Sequence, residues 1–249
     1  MWEYSIVFSR NKLELAKKIN NEIQSFVENK NGISTLLITK FNISVLVAVP
    51  DGQGEVLDLF IKDKIISLYV NEYKLNYLLE NFNFEVTNNI SMKAFIKALL
   101  MFDVETDRRI VKQKLLGFNS IVIDSFFNFR LQVLKNRWND LVNLANDNIM
   151  YLMSRDTIIE LLKFLISNLE FNCEMVKIKQ NGENFILYNE KGELIKDETC
   201  RDVLDNDSLI TTLIYLNPKR IRLDETYNIR NGAINLICEL FNNRVETFK

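Results

Sequence analysis

The chain has 249 residues, with 31 Lys and Arg against 33 Asp and Glu, three Cys, two Pro and no His. Without an imidazole, Ser-His-Asp or Cys-His nucleophile activation, His-bearing zinc, haem and non-haem iron sites, and a histidine proton shuttle near neutral pH are all excluded. A hydrophobic share of 47% with 26% charged residues describes a folded chain, long enough for one large core or two of roughly 100 residues each.

Asn occurs 31 times and Ile 27 times against six Ala, a bias that points to an AT-rich coding sequence and carries no function of its own. The thiols Cys173, Cys200 and Cys238 are odd in number, widely spaced and outside any C-x-x-C pattern, so reduced cysteines in a cytoplasmic protein are expected. The opening Met1-Trp2-Glu3-Tyr4 lacks a basic leader and no signal peptide is expected. The longest apolar runs, near Ile158–Leu169 and Thr35–Val49, are interrupted by Glu160, Lys163 and Lys40, so no membrane insertion is expected.

The N-terminal segment reads as a βαββα unit. Trp2–Phe8 is a partly alternating strand; Asn11–Glu28 places Leu15, Ile19, Ile23 and Phe26 at helical steps, and Asn31-Gly32 stops that helix. Leu36–Thr39 and Ile43–Val49 form a hairpin. A second helix follows the turn Asp51-Gly52-Gln53-Gly54-Glu55, which lacks both the third glycine of a dinucleotide fingerprint and the Gly-Lys-Ser/Thr of a P-loop.

From residue 89 the pattern turns helical. Ser91 is expected to cap Met92–Phe102, and Glu105–Leu116 is expected to end at Gly117. Ser120–Asp124 is either a strand or an extended linker. Leu131, Leu134, Trp138, Leu141, Ala145, Ile149 and Leu152 then form one stripe along a long helix. Asp156 or Ser154 caps the next helix, which is apolar nearly all round and belongs in a core.

The C-terminal part combines a hairpin over Asn181-Gly182, a further short strand at Leu194-Ile195, and a helix capped by Asp207 or Ser208 that closes at Asn217-Pro218. A strand at Lys219–Leu223, a helix at Thr226–Phe241 and a strand at Arg244–Phe248 make a terminal βαβ unit with parallel strands. The expected fold is thus α+β: an N-terminal βαββα unit, a helical middle and a C-terminal mixed sheet. Segments 1–88, 89–172 and 173–249 are the expected subdomains, with 89–249 as one unit in the alternative division.

No constellation assigns catalytic, cofactor-binding or metal-ligating residues. Asp202, Asp205 and Asp207 resemble an oxygen-ligand set, but the glycine and distal Glu of a calcium loop are missing, which favours loop acids and caps. Glu105, Asp107, Arg108 and Arg109 read as an exposed, mutually compensating helix face. The region Arg108–Arg137 carries seven bases and one acid, with Phe118, Phe126, Phe127, Phe129 and Trp138 interleaved. Bases for phosphates and aromatics for stacking give a nucleic-acid-binding alternative through Arg108, Arg109, Lys112, Lys114, Arg130 and Arg137. The pI of about 5.5 speaks against a dedicated binder.

Five segments share an order and spacing across about residues 118–249. They are Phe127-Asn128-Phe129-Arg130-Leu131, Leu161-Leu162-Lys163-Phe164-Leu165, Leu187–Gly192, Leu209–Leu216 with Asn217-Pro218-Lys219-Arg220-Ile221, and Phe241-Asn242-Asn243-Arg244-Val245. In these the chain resembles the YtxC-like sporulation protein family. It departs from the family pattern where Asn136, Asn139, Asn143, Asn146 and Asn148 stand in place of acids. The resemblance implies a cytoplasmic protein of spore-forming, low-GC bacteria with a place in sporulation, and it transfers no activity. The expected function is a non-enzymatic interaction or regulatory protein with a protein partner or self-association and no cofactor. Nucleic-acid binding is the alternative, and a carboxylate- and metal-dependent enzyme the second alternative.

Overall fold

Alternation in the first strand buries Tyr4, Ile6 and Phe8 on one side. The structure, a computed structural model, describes residues 1–83, 90–147, 155–196, 201–224 and 231–247. The elements begin with β1 (Trp2–Ser9), α1 (Leu13–Val27), β2 (Ile33–Ile38), β3 (Asn42–Val49) and α2 (Gly54–Leu68), which runs through a π-helical turn (Tyr69–Tyr73) into α3 (Lys74–Asn81). Next come α4 (Ile90–Met101), α5 (Val104–Lys114), β4 (Ser120–Val122), α6 (Ile123–Arg130) and α7 (Gln132–Asp147). The last part holds α8 (Arg155–Asn168), β5 (Cys173–Asn181), β6 (Asn184–Asn189), β7 (Leu194–Ile195), α9 (Asn206–Leu216), β8 (Pro218–Leu223), α10 (Gly232–Phe241) and β9 (Val245–Thr247). This is an α+β fold with two sheets.

Packing groups the chain into two compact units, Met1–Tyr77 with Val104–Asp140, and Leu78–Asp103 with Leu141–Lys249. The grouping cuts across three consecutive segments because Ser120–Val122 returns to the first sheet.

In the first unit the strand order is β2-β3-β1-β4, antiparallel except for the parallel pair β1–β4. The expected βαββα unit is therefore present, and Ser120–Val122 is a strand that completes its sheet. Ile19 and Ile23 of α1 and Leu57 and Ile61 of α2 join Ile6, Val45 and Val47 in one core. At Gly54, where α2 starts, a β-carbon would lie 2.6 Å from the Trp2 ring, so the close approach of indole to backbone requires glycine.

Helix boundaries differ from expectation at places where tertiary packing takes over. The stripe expected in one long helix is divided, because Leu131, fully buried, leaves helical geometry (φ −105°, ψ 32°) between α6 and α7. Its carbonyl accepts from the Lys135 N–H, so Leu131 opens α7 from outside it. Leu134, Trp138 and Ala145 are buried as expected, with Val142 beside them, whereas Leu141 is partly exposed. Ile149 and Leu152 of that stripe lie outside the described residues. Ser91 is a buried residue inside α4, not its cap. Asp156 sits in the first turn of α8, and Ser154 lies outside the described residues.

In the second unit the sheet order is β7-β6-β5-β8-β9. Strands β5, β6 and β7 are antiparallel, and β8 runs parallel to both β5 and β9, as the terminal βαβ unit requires. Asn181 pairs with Asn184 across a two-residue connection in which Gly182 takes a positive φ of 65°, the conformation that makes glycine the preferred residue there. Helix α4 packs on α8 and α9, and α10 packs on both of those helices. The cap of α9 is Asp205, whose carboxylate accepts from the Ser208 N–H, and not Asp207 or Ser208. Asn231 caps α10, which is described from Gly232; the expected start at Thr226 and the end of the last strand at Phe248 lie outside the described residues.

Candidate functional site

The first unit holds two polar clusters that share the π-helical turn Tyr69–Tyr73. An α-helix advances 100° per residue, so the one extra residue in a π turn rotates all that follows by roughly that angle. Tyr69 and Tyr73 meet edge to face, with ring centroids 5.1 Å apart, and Lys74 is fully buried.

Lys74 donates to Asp107 Oδ2 at 2.8 Å, and both side chains are withdrawn from solvent. The Trp138 indole N–H donates to the same oxygen at 2.9 Å, and Arg137 Nε donates to Oδ1 at 3.3 Å. One carboxylate thus ties α3, α5 and the start of α7. Neutralising partners are what such a burial requires, since an isolated buried ion costs several kcal/mol. Asp107 does not belong to an exposed, compensating face: Arg108 turns instead to Asp63 at 2.5 Å and Ser67 at 3.3 Å, while Glu105 and Arg109 stay exposed.

The second cluster is nearer the surface. Lys12 Nζ donates to Asp124 Oδ1 and to the Tyr73 hydroxyl, each at 2.5 Å, and Tyr73 donates to the same Asp124 oxygen at 2.5 Å. The Lys12 ammonium also lies 4.0 Å from the Tyr73 ring centroid. Burial pushes the Asp124 carboxyl up, but hydrogen bonds from Lys12, Tyr73 and Ser9 and the Lys12 charge outweigh it and hold the carboxyl below its usual range. Burial, then the bond to Asp124, pushes the Tyr73 phenol up, so it stays a protonated donor. Tyr69, also pushed up by burial, donates to the Ile123 carbonyl at 2.8 Å.

The second unit gathers its polar groups around a neutral amide. Asn217, fully buried and left-handed (φ 37°), donates through Nδ2 to the carbonyls of Ile166, Leu169 and Glu170 at 3.2, 2.9 and 3.2 Å. These carbonyls lie around the end of α8, where Ile166 also accepts from the Leu169 N–H, and the amide of Asn217 adds to their bonding while its backbone N–H closes α9 on Leu213. Arg244 donates to Asn217 Oδ1 at 2.7 Å and to the Pro218 carbonyl at 3.3 Å, and its guanidinium faces the rings of Phe171 and Phe241 at 4.8 and 5.8 Å. Burial lowers the Arg244 pKa, yet Arg remains cationic at neutral pH.

The acids Asp202, Asp205 and Asp207 each have separate work: Asp202 pairs with Lys196, Asp205 caps α9 and Asp207 pairs with Lys93. Among the described residues no three acids or thiols gather as a metal site. Cys173 and Cys238 are half-buried thiols, with burial pushing Cys238 up, and Cys200 lies outside the described residues. No helix among the described residues is long and apolar enough to cross a membrane.

The basic stretch is distributed over three helices. On α5, Arg108, Lys112 and Arg109 fall within about 100° of arc, and Lys114 lies on the other side of the buried Val111. Arg130 is exposed at the end of α6 next to the exposed Phe129, whereas Arg137 turns to Asp107. Neither Lys74 nor a buried Asp107 belongs to the site residues expected from sequence. Their signal was a charge set on an apolar row, Val70-Lys74-Leu78 on one helix run and Val104-Asp107-Val111 on the other.

No curated protein and no solved structure matches the chain. The model of the YtxC-like family matches residues 80–246, a span that contains all five segments quoted above, Asn217 and Arg244 included. The chain belongs to the YtxC-like family.

Proposed function

We propose that the chain works by binding other macromolecules, as a cytoplasmic interaction or regulatory protein of the sporulating cell, and not by catalysis. The observation that carries this reading is the first sheet, whose buried apolar residues lie on the side of α1 and α2 while its other face leaves Ile33, Leu37, Leu46 and Val122 exposed. Adjacent exposed apolar side chains mark interaction surfaces. The burial of Asp107 supports the same reading, because a carboxylate withdrawn from solvent and engaged by Lys74, Trp138 and Arg137 serves to hold the fold together. Family membership supports the sporulation setting.

The test is affinity capture of the tagged chain from cells entering sporulation and from vegetative cells. The expected result is a stoichiometric partner enriched in the sporulating sample. A turnover activity that co-purifies with the chain and disappears on one carboxylate or thiol substitution overturns the reading.

Exposed Phe129 beside exposed Arg130 favours a second reading, binding of single-stranded nucleic acid. It requires affinity that falls steeply with salt and drops in an Arg109→Ala, Lys112→Ala, Arg130→Ala triple variant. Absence of binding to labelled single strands at low salt removes it.

A further inference from the structure

We propose that the free edge of β2 pairs antiparallel with the same strand of a second copy of this chain, about a two-fold axis at Thr35. The inference rests on the reading of the chain as an interaction protein and names the partner of its open sheet.

Strand β2 ends the order β2-β3-β1-β4. The Thr39 N–H donates to the Asn42 carbonyl at 2.9 Å, so odd-numbered residues of this strand bond β3, and Ser34, Leu36 and Ile38 turn their N–H and C=O groups outward. No hydrogen bond among the described residues reaches those outward groups. Natural sheets blunt such an edge with charge, proline or a bulge. Here Gly32 to Thr39 carries no charge and no proline, and the register with β3 is unbroken from Ile33 to Ile38. Along the chain the nearest charges, Lys30 and Lys40, stand beyond both ends of the run, and the Arg10 guanidinium bonds the Thr39 carbonyl at its end.

The side chains favour a second copy over an unrelated strand. The two faces of β2 are distinct: Ser34 is buried and donates to Asn20 of α1, whereas Ile33, Thr35 and Leu37 point the other way, with Ile33 68% and Leu37 51% exposed. Pairing about Thr35 sets Ile33 opposite Leu37 and Leu37 opposite Ile33, apolar on apolar, on the open face. Ser34 and Leu36 then exchange both backbone hydrogen bonds, using the groups that point outward. The contact is isologous, closes after two copies and joins the two open faces into one sheet of eight strands.

Thr35 faces itself across this axis and is exposed, so charges placed there act on the pairing and not on the core. The full chain, Thr35→Lys and Thr35→Glu are compared by sedimentation velocity over a concentration series, alone and mixed. The expected result is a dimer for the parent chain, loss of the dimer in each variant alone through like charges opposed, and its recovery as a one-to-one hybrid on mixing. A monomeric parent chain overturns the pairing, as do two variants that dimerise as well as the parent. A monomer that still captures a partner from sporulating cells defeats the pairing and leaves the interaction reading standing. A dimer that carries turnover does the reverse.

Discussion

The two units solve the same problem, a polar group in the interior, with opposite chemistry. The first buries a charge pair, Lys74 with Asp107, and closes it with Trp138 and Arg137. The second buries a neutral amide, Asn217, and brings up the single cation Arg244 from a half-buried position flanked by aromatic rings. Full burial of ions is costly and is tolerated only while every partner remains, whereas an amide that satisfies helix-end carbonyls relieves a cost the helix already had. The first unit should therefore be brittle to loss of one group, and the second graded. The family match accentuates the contrast, since residues 80–246 span nearly all of the second unit but leave residues 1–77 of the first outside.

The largest effect tests that brittleness. Asp107→Ala leaves Lys74 buried without its carboxylate and is expected to cost about 3–5 kcal/mol of the first unit's stability. Replacing both partners, Lys74→Met with Asp107→Leu, is expected to restore only the part due to the buried ammonium, because two apolar groups need no partner while the Trp138 N–H still lacks its acceptor, a residual cost of about 1–3 kcal/mol. Both tryptophans, Trp2 and Trp138, belong to the first unit, so urea unfolding followed by their fluorescence reads this unit directly. A double variant as unstable as Asp107→Ala would show that the lost bonds of Lys74 and Trp138 to the carboxylate, and not the charge left in the interior, carry the stability.

A smaller loss is expected from Asn217. Asn217→Ala removes the bonds to three carbonyls and also forces a β-carbon residue with low αL tolerance into the left-handed region, for roughly 2–3 kcal/mol in the second unit. Asn217→Gly removes the same bonds but accepts the positive φ, so it is expected to recover part of the loss. Far-UV circular dichroism at matched urea concentrations measures both, since no tryptophan reports on this unit. Equal losses in the two variants would place the whole effect in the hydrogen bonds. A recovered glycine variant would place it in the backbone.

How much of this was legible in the sequence follows from range. The βαββα opening, the Asn-Gly hairpin and the parallel terminal strands are written in local signals: alternation, helical stepping and turn residues. Leu131 and Ser91 were misassigned because what breaks one helix and buries the other is packing with distant elements. The α5 charges were read as exposed because helical neighbours of opposite sign usually compensate one another in solvent. Local sequence places Asp107 between Val104 and Val111 and Lys74 between Val70 and Leu78, but it does not show that the two rows meet beyond the π turn. The apolar rows on which both charges stand were the available sign, and it becomes decisive only when two such rows hold opposite charges. Asn217 is legible as a helix terminus, which it is, but its three carbonyl partners lie 47 to 51 residues away in sequence.

The smallest expected effect sharpens the comparison through pH. Asp124 has a folded-state pKa held below its unfolded value of about 3.9, so its contribution is complete above that value and is lost as pH falls through the folded one. The pair with Lys12 is partly exposed and screened, which limits the contribution to roughly 0.2–1 kcal/mol. Asp124→Asn is therefore expected to unfold at slightly lower urea than the parent chain at pH 6, with the gap closing below about pH 4 as the parent carboxylate takes up its proton. Tryptophan fluorescence reads the transition in the first unit, where Asp124 lies. The Asn217–Arg244 hub holds no group that titrates in this window, so a parallel series on Arg244→Leu is expected to show a gap that acid does not close. If the Asp124 gap persists or widens in acid, the carboxylate is not held in its charged form by Lys12 and Tyr73. The cluster would then be a packing contact between rings and stems, unlike the buried Lys74–Asp107 pair.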